Sequence, residues 1–179
     1  PTRPRLMPRS EADAKGIKPY RDGVEGDISM GVAQANTPYA SETSPFVSPL
    51  HVPCTQPPYG TISAVDVDTQ KLLWTKPFGT AAGVGPFGIA SHLPLPMGQI
   101  NLGGSLTTRS GLTFIAANPD GEFRAFDTVT GKEVWHTELP VPAYATPMSY
   151  ISPDSNRQFI VISAAGFRPL GEKTGDYII

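Results

Sequence analysis

The sequence predicts an all-β chain made of short strands and many turns, and two observations support this class. The first is composition, since the 179 residues include 18 glycines and 20 prolines, which interrupt helices and populate turns. The second is a repeated hairpin pattern in which short segments of alternating polarity flank turn-forming residues. A chain of this kind is expected to contain little helix.

Residues 1–57 are rich in Pro, Ser, Thr, Asn and charge, and their apolar residues recur with neither the period of a strand nor that of a helix. We therefore predict an extended, loop-rich segment or an insertion that packs on something outside this chain. Cys54 is the only cysteine of the chain. It excludes an internal disulfide, and we expect it to be a small buried side chain.

Residues 58–179 carry the predicted strands. Residues 61–67 alternate small or polar with apolar side chains, and after a turn at residues 68–71 a second strand follows at residues 72–75. Together they predict a hairpin. Further strand-like segments are residues 111–117, 145–150 and 158–164, the last of them apolar enough to be buried on both faces.

The hairpin pattern recurs at residues 123–136, and Trp135 follows Trp74 by 61 residues, as Ala125 follows Ala64. Both copies read A-x-D-x-x-T-[GQ]-K-x-x-W. The aspartate can accept backbone hydrogens within the turn, and the tryptophan can cover the apolar face of the hairpin. A period of this length with several strands per unit indicates β-propeller blades, because one such sheet cannot bury both of its faces alone. Two unrelated hairpins in a small sandwich are the alternative.

Charge and motif content exclude several classes of function. A net charge of −2 gives no basic surface for nucleic acid or an anionic membrane. No segment approaches the roughly 20 apolar residues that span a bilayer. His51, His92 and His136 lie far apart without the spacing of metal ligands, so we predict no metal site. The glycine-rich residues 79–88 lack a phosphate-binding motif.

Six strings around the repeat are more specific than the repeat itself. They are Val52–Gly60, Gly85–Ile89, Leu102–Gly104, Asn118–Phe126, Ala145–Tyr150 and Gly175–Ile179. In this order and spacing, residues 45–179 resemble the C-terminal end of the membrane-bound glucose, quinate and shikimate dehydrogenases, which depend on pyrroloquinoline quinone (PQQ). The resemblance implies the C-terminal blades of an eight-bladed propeller, with Trp74 and Trp135 as docking residues between blades.

The resemblance also implies a chemistry. PQQ, bound with Ca²⁺ or Mg²⁺ at the propeller axis, takes a hydride equivalent from a secondary alcohol, and electrons pass to ubiquinone at the periplasmic face of the bacterial inner membrane. In this family the catalytic base and the metal ligands lie in earlier blades. No catalytic residue or metal ligand is therefore expected in this chain, which would need the remaining blades as partners and be inactive alone.

Two segments match places that face the cofactor in this family. Asp120 precedes the strand at residues 123–126, where a carboxylate can accept a hydrogen bond at the quinone rim or orient a neighbouring base, although Asp120-Gly121 is also a favoured turn pair. Gly166 and Phe167 follow the strand at residues 158–164 and are expected at the cofactor. Phe167 stands where glucose-oxidising members carry histidine. Arg168 is then a candidate partner for a substrate carboxylate, or else a solvated loop cation.

We therefore expect a dehydrogenase of a small cyclic polyol acid such as quinate or shikimate. The same chemistry on glucose or another sugar or polyol is the first alternative. A non-catalytic propeller scaffold for protein binding or assembly is the second, because such scaffolds share the tryptophan repeat. Residues 176–179 read as a strand at a cut edge, and open edges are expected to drive self-association.

Overall fold

A computed structural model describes most of the chain, and the described residues are 2–17, 31–33, 36–50, 52–82, 85–89, 91–167 and 172–179. They fall into two compact units, residues 1–55 and 56–179. No helix among them combines the length and apolar character needed to cross a membrane.

The described residues of the first unit form a small antiparallel sheet and a short helix. Its elements are β1 (Thr2–Pro8), α1 (Arg9–Ala14), β2 (Gly31–Ala33) and β3 (Tyr39–Pro45), with the sheet order β1-β3-β2. Met7, Ala12 and Ala40 form its core. Strands therefore replace much of the extended loop predicted for residues 1–57, because β1 and β3 pair across a long sequence separation that leaves little local signal. Cys54 is exposed, so its predicted burial was wrong: it lies in a surface loop after the Val47–Pro53 bridge.

The second unit is built of strands that pair only in antiparallel fashion among the described residues. They are β4 (Thr61–Asp66), β5 (Lys71–Pro77), β6 (Leu106–Thr107), β7 (Leu112–Ile115), β8 (Glu122–Asp127), β9 (Glu133–Glu138), β10 (Met148–Ile151), β11 (Gln158–Val161), β12 (Ser163–Ala164) and β13 (Tyr177–Ile178), with a single 3₁₀ turn at Pro86–Gly88. Strands β4 and β5 form a hairpin, β6-β7-β8-β9 a four-stranded meander, and β10-β11 and β12-β13 two further pairs. The all-β prediction is confirmed.

The four-stranded meander is covered on both faces. On one face Ile115 and Phe126 pack with Phe78, which follows the β4-β5 hairpin. On the other face Phe123 packs with Ile162 and Ala164. The meander is therefore the central layer of this unit, as a propeller blade between two neighbours would be.

Burial and pairing can be compared with two sequence-based predictions, one for residues 158–164 and one for the strand near the end of the chain. The segment at residues 158–164 is not buried on both faces, since Phe159 remains 40% exposed. The strand near the end of the chain is paired, because Tyr177 and Ile178 pair with Ala164 and Ser163. Within residues 158–164, Ile162 is thus more fully buried than Phe159.

Each copy of the repeated turn is stabilised by its aspartate, as predicted. Asp66 Oδ1 accepts hydrogen bonds from the backbone N–H groups of Asp68 and Thr69. Asp127 Oδ1 accepts them from Val129 and Thr130. The hydrogen bond from the Thr130 backbone lowers the pKa of Asp127 below its ordinary value, and that from Thr69 does the same for Asp66.

These turns make part of the stability depend on pH. A carboxyl whose pKa is depressed in the folded state stabilises the protein above its unfolded pKa, and the contribution is lost as the pH falls through the folded pKa. We expect the double variant D66N/D127N to lose less stability than the parent between about pH 5 and pH 2, as measured by urea unfolding at each pH. The matched control is D154N, because the Asp154 carboxylate makes no hydrogen bond within the described residues. Equal acid losses in the parent and the double variant would contradict this account.

Candidate functional site

The β4-β5 hairpin and the meander are joined at the turn between β8 and β9. Trp74 Nε1 donates a hydrogen bond of 2.9 Å to the Thr128 carbonyl oxygen. Gly131 has φ 69°, and a Cβ at this position would lie 2.6 Å from Cδ2 of the Trp74 indole. Glycine is therefore required by both the backbone conformation and the close approach of the ring.

Lys76 adds a second contact to the same turn. Residues two apart on a strand share a face, so Lys76 lies beside Trp74. Its ammonium group donates a hydrogen bond to the Gly131 carbonyl oxygen and lies 4.2 Å from the centroid of the Phe126 ring. The predicted docking residue Trp74 thus works with a cation that the repeat pattern does not contain, since the corresponding position after Trp135 is Thr137.

Trp135 occupies the equivalent position on β9. Its ring is 47% exposed and packs edge-on against Phe123, with the centroids 5.9 Å apart. The indole N–H makes no hydrogen bond within the described residues. That Trp135 docks on a further blade stays a prediction.

A charged cleft of about 260 Å³ lies between the hairpin and the meander. Its lining includes Lys76, Phe78, Thr80, Glu122, Arg124 and Glu133. Arg124 lies beneath it with a side chain that is only 5% exposed, and its guanidinium carbon is 5.7 Å from the Phe78 ring centroid. Arg124 was not among the site residues predicted from the sequence. Its position between Phe123 and Ala125 in an otherwise apolar strand was the signal that could have identified it.

Asp120, which the sequence placed at the cofactor rim, is the main partner of Arg124. Its side chain is 1% exposed. Oδ1 accepts hydrogen bonds from Arg124 Nη1 at 3.1 Å and from the Glu122 N–H at 3.2 Å. Oδ2 accepts them from Arg124 Nη2 at 2.6 Å and from the Thr80 N–H at 3.1 Å. Because Thr80 follows the β4-β5 hairpin, this carboxylate ties the loop before β8 to the neighbouring sheet.

The charge balance around Arg124 favours its ionised form. Burial by itself would lower the pKa of this guanidinium, but the hydrogen bonds and charge of Asp120, with the charges of Glu122 and Glu133, raise it above its ordinary value. The Arg124–Glu122 and Arg124–Glu133 distances are 3.0 and 3.5 Å. Three carboxylates therefore surround this one cation, which disfavours the binding of a further anion.

Gly166 and Phe167 lie at a second cluster, which also holds Tyr144 and Glu172. The Gly166 N–H donates to the Pro142 carbonyl oxygen at 2.8 Å. The Phe167 N–H donates to Glu172 Oε2 at 2.9 Å, and the Tyr144 hydroxyl donates to Glu172 Oε1. The Tyr144 and Phe167 rings meet edge to face at a centroid distance of 5.8 Å. Sequence analysis missed Tyr144 and Glu172, and Arg168 lies outside the described residues.

The two clusters influence each other electrostatically. Burial raises the pKa of Tyr144, and the carboxylates of Glu172 and Asp120 raise it further. Asp120 thus adds a smaller contribution to that of Glu172, which bonds the Tyr144 hydroxyl directly. The Tyr144 hydroxyl accordingly keeps its proton and acts as a donor over the whole physiological range.

The side chains of these two clusters limit the kinds of ligand that could bind beside them. Among the described residues, no three or more His, Cys, Asp and Glu side chains are placed to hold a metal ion. Because the Tyr144 and Phe167 rings meet at an interplanar angle of 60°, a planar group such as PQQ could stack on the face of one ring of this aromatic wall and contact the other at its edge. Asn118 Nδ2 is a buried donor without a partner in the described residues. It lies toward Gly79, which follows the β4-β5 hairpin, while Asn118 Oδ1 accepts from the Asp120 N–H.

Comparison with known proteins extends the resemblance to most of the chain. The family model described as "PQQ: Glucose/ethanol/alcohol dehydrogenase, beta-propeller domain" matches residues 1–160. The match includes residues 1–44, in which the sequence analysis had found little resemblance. It confirms the propeller-type fold class and the predicted relationship to quinoprotein dehydrogenases.

Three relatives illustrate the relationship. A probable quinate dehydrogenase (quinone) of Xanthomonas campestris pv. juglandis is 44% identical over 94% of this chain and 21% of its own length. The quinate/shikimate dehydrogenase (quinone) of Acinetobacter baylyi is 42% identical over 88% of this chain and 19% of its own. The quinoprotein glucose dehydrogenase of Escherichia coli is 38% identical over 93% and 20%.

This chain spans about one fifth of the length of these relatives. The family model matches residues in both units described above, and the match ends within β11. On that match, the chain belongs to the PQQ glucose/ethanol/alcohol dehydrogenase β-propeller family.

Proposed function

We propose that this chain is part of a PQQ-dependent dehydrogenase that oxidises a secondary alcohol of a cyclic polyol acid, of the quinate or shikimate class. Electrons would pass to ubiquinone at the periplasmic face of the inner membrane. The observation that carries the proposal is the 44% and 42% identity with two relatives named for quinate and quinone, over most of this chain. The family match also favours a dehydrogenase over a non-catalytic scaffold.

Bound PQQ would supply the two-electron acceptor, while Ca²⁺ or Mg²⁺ would be held by residues of other blades. In this chain, the proposed cofactor contacts are Gly166 and the ring of Phe167. Asp120 acts indirectly on the cofactor. Both of its carboxylate oxygens already accept hydrogen bonds, two from Arg124 and one each from the backbone N–H groups of Thr80 and Glu122. Of the two roles predicted from the sequence, we therefore propose the positioning role for Asp120.

The substrate preference rests on Phe167 and Arg168. The Phe167 ring can pack on the apolar face of a cyclic substrate but can neither donate a hydrogen bond nor titrate, as a histidine there could. Phe167 therefore cannot pair with a substrate carboxylate, and a cation from another residue must do so. Because Arg124 is already surrounded by the carboxylates of Asp120, Glu122 and Glu133, Arg168 is the proposed partner.

Activity of the full-length protein tests this proposal. The apoprotein is loaded with PQQ and Ca²⁺ or Mg²⁺, and reduction of a ubiquinone analogue is followed with quinate, shikimate and glucose. We expect kcat/KM for quinate or shikimate to exceed that for glucose by at least about tenfold, the ratio that 1.4 kcal/mol provides. A preference for glucose would select the alternative that the Escherichia coli relative represents. Failure to reduce quinone with all three substrates would overturn the dehydrogenase proposal.

A further inference from the structure

Glu172 joins three segments that are separate in sequence. Its Oε1 accepts the hydrogen bond of the Tyr144 hydroxyl, from the segment before β10. Its Oε2 accepts that of the Phe167 N–H, from the segment after β12. Glu172 itself precedes β13 and is half-buried. One side chain thus fixes both aromatic residues of the proposed wall.

The backbone around Phe167 is held from the opposite side as well. The Gly166 N–H donates to the Pro142 carbonyl oxygen, and the Gly175 N–H donates to the Ala165 carbonyl oxygen at 3.0 Å. Gly166 has φ 67°, and a Cβ there would collide with the Lys173 carbonyl oxygen. With the residue before Phe167 fixed in this way, the hydrogen bond to Glu172 orients the Phe167 amide and so the position from which its ring projects.

The two aromatic rings depend on each other through the same carboxylate. Their edge-to-face contact places the centroids 5.8 Å apart with an interplanar angle of 60°, a favourable arrangement for an aromatic pair. The Tyr144 hydroxyl remains a donor because burial and the neighbouring carboxylates disfavour its ionisation. Loss of the Glu172 carboxylate would free both rings at once.

We propose that Glu172 is a positioning residue that sets the placement of the Phe167 ring and so the shape of the aromatic wall offered to the ligand. This inference rests on the proposed function, in which that wall faces the cofactor or the cyclic substrate. Glu172 acts through Tyr144 and the backbone of Phe167. It is not itself assigned to any step of the reaction.

The test compares E172A, E172Q and the control E138A in the full-length protein. Glutamine keeps the geometry without the charge, because its carbonyl oxygen can accept from the Phe167 N–H while its amide donates to the Tyr144 oxygen. Alanine removes both hydrogen bonds, and Glu138 is an exposed carboxylate on β9. Three quantities are measured: hydrogen exchange of the peptide containing Phe167, the Kd of PQQ for the apoprotein, and KM and kcat for the ring substrate.

For E172A we expect faster exchange at Phe167 and a Kd for PQQ or a KM for the substrate that rises about tenfold, as the loss of one to two hydrogen bonds predicts. The kcat should change much less, because no reacting atom is touched. E172Q should restore all values to within about twofold of the parent. Exchange and binding in E172A equal to those in E138A, or an E172Q variant as impaired as E172A, would overturn the inference.

The exchange measurement separates this inference from the proposed function. If no substrate is oxidised but exchange at Phe167 rises in E172A and recovers in E172Q, the dehydrogenase proposal fails while the positioning of Phe167 by Glu172 stands. If oxidation proceeds normally in the parent and E172A leaves exchange, PQQ binding and KM unchanged, the positioning role is wrong and the dehydrogenase proposal stands.

Discussion

Replacing Arg124 by methionine should lower the free energy of unfolding by about 3–5 kcal/mol, the usual cost of breaking a buried ion pair from one side. The variant leaves the Asp120 carboxylate, 1% exposed, with only the N–H groups of Thr80 and Glu122 as partners. A carboxylate that cannot reach water and has lost its counter-charge must stay ionised at a high cost or take up a proton. Either outcome weakens the link between the loop before β8 and the neighbouring hairpin.

Urea unfolding of the full-length protein measures this effect. R109M is the matched control, because Arg109 is exposed. The double variant D120N/R124M should be less destabilised than R124M, since it removes the uncompensated charge along with the cation. An R124M variant no less stable than R109M would show that the Asp120–Arg124 pair does not hold the two sheets together.

Replacing Trp74 by alanine should cost about 2–3 kcal/mol, somewhat less than the about 3–5 kcal/mol of a fully buried aromatic side chain. The discount reflects the partial exposure of Trp74 in the described chain. The substitution removes the contact with Gly131 and the hydrogen bond to the Thr128 carbonyl oxygen. It also leaves Lys76 without the aromatic neighbour that lies 5.6 Å from its ammonium group.

Gly131 offers an independent test of the same contact. G131A should destabilise the protein through its φ of 69° and through the clash of its methyl group with the Trp74 ring. In W74A the clash is gone, so G131A should cost less there than in the parent, and the two losses should not add. The control V129A changes an exposed residue of the same turn. Additive losses in the double variant would show that Trp74 does not dock on this turn.

Both predictions concern the placement of the candidate site. The Asp120–Arg124 pair and the Trp74 contact lie on the same face of the meander, at opposite ends of β8. Together they fix the loop at residues 118–121 relative to Phe78 and Thr80, which follow the β4-β5 hairpin. Phe167 is held by other contacts: its N–H donates to Glu172, and the N–H of the neighbouring Gly166 donates to the Pro142 carbonyl oxygen.

The sequence predicted the strands of the second unit well, because their signals are local. The turn at Asp127 is specified by residues that bond one another within four positions, and alternation decides which side chains of β7 and β8 face a core. The same reasoning identified Trp74 and the resemblance to quinoprotein dehydrogenases. It did not identify the sheet of the first unit, since β1 and β3 pair across intervening chain that carries no hairpin signal.

The candidate site depended far more on tertiary structure. The sequence by itself determined where the hairpins turn and which tryptophans end them, and its resemblance to a family predicted Asp120 and Phe167 as site residues. Only the folded chain brought Asp120 to Arg124 and Thr80, and Tyr144 to Glu172 and Phe167. A turn is encoded in neighbouring residues, whereas the partner of a buried charge is whichever segment the packing of the sheets brings within hydrogen-bond distance. That distance is set by the whole fold and leaves no mark in the spacing of the residues.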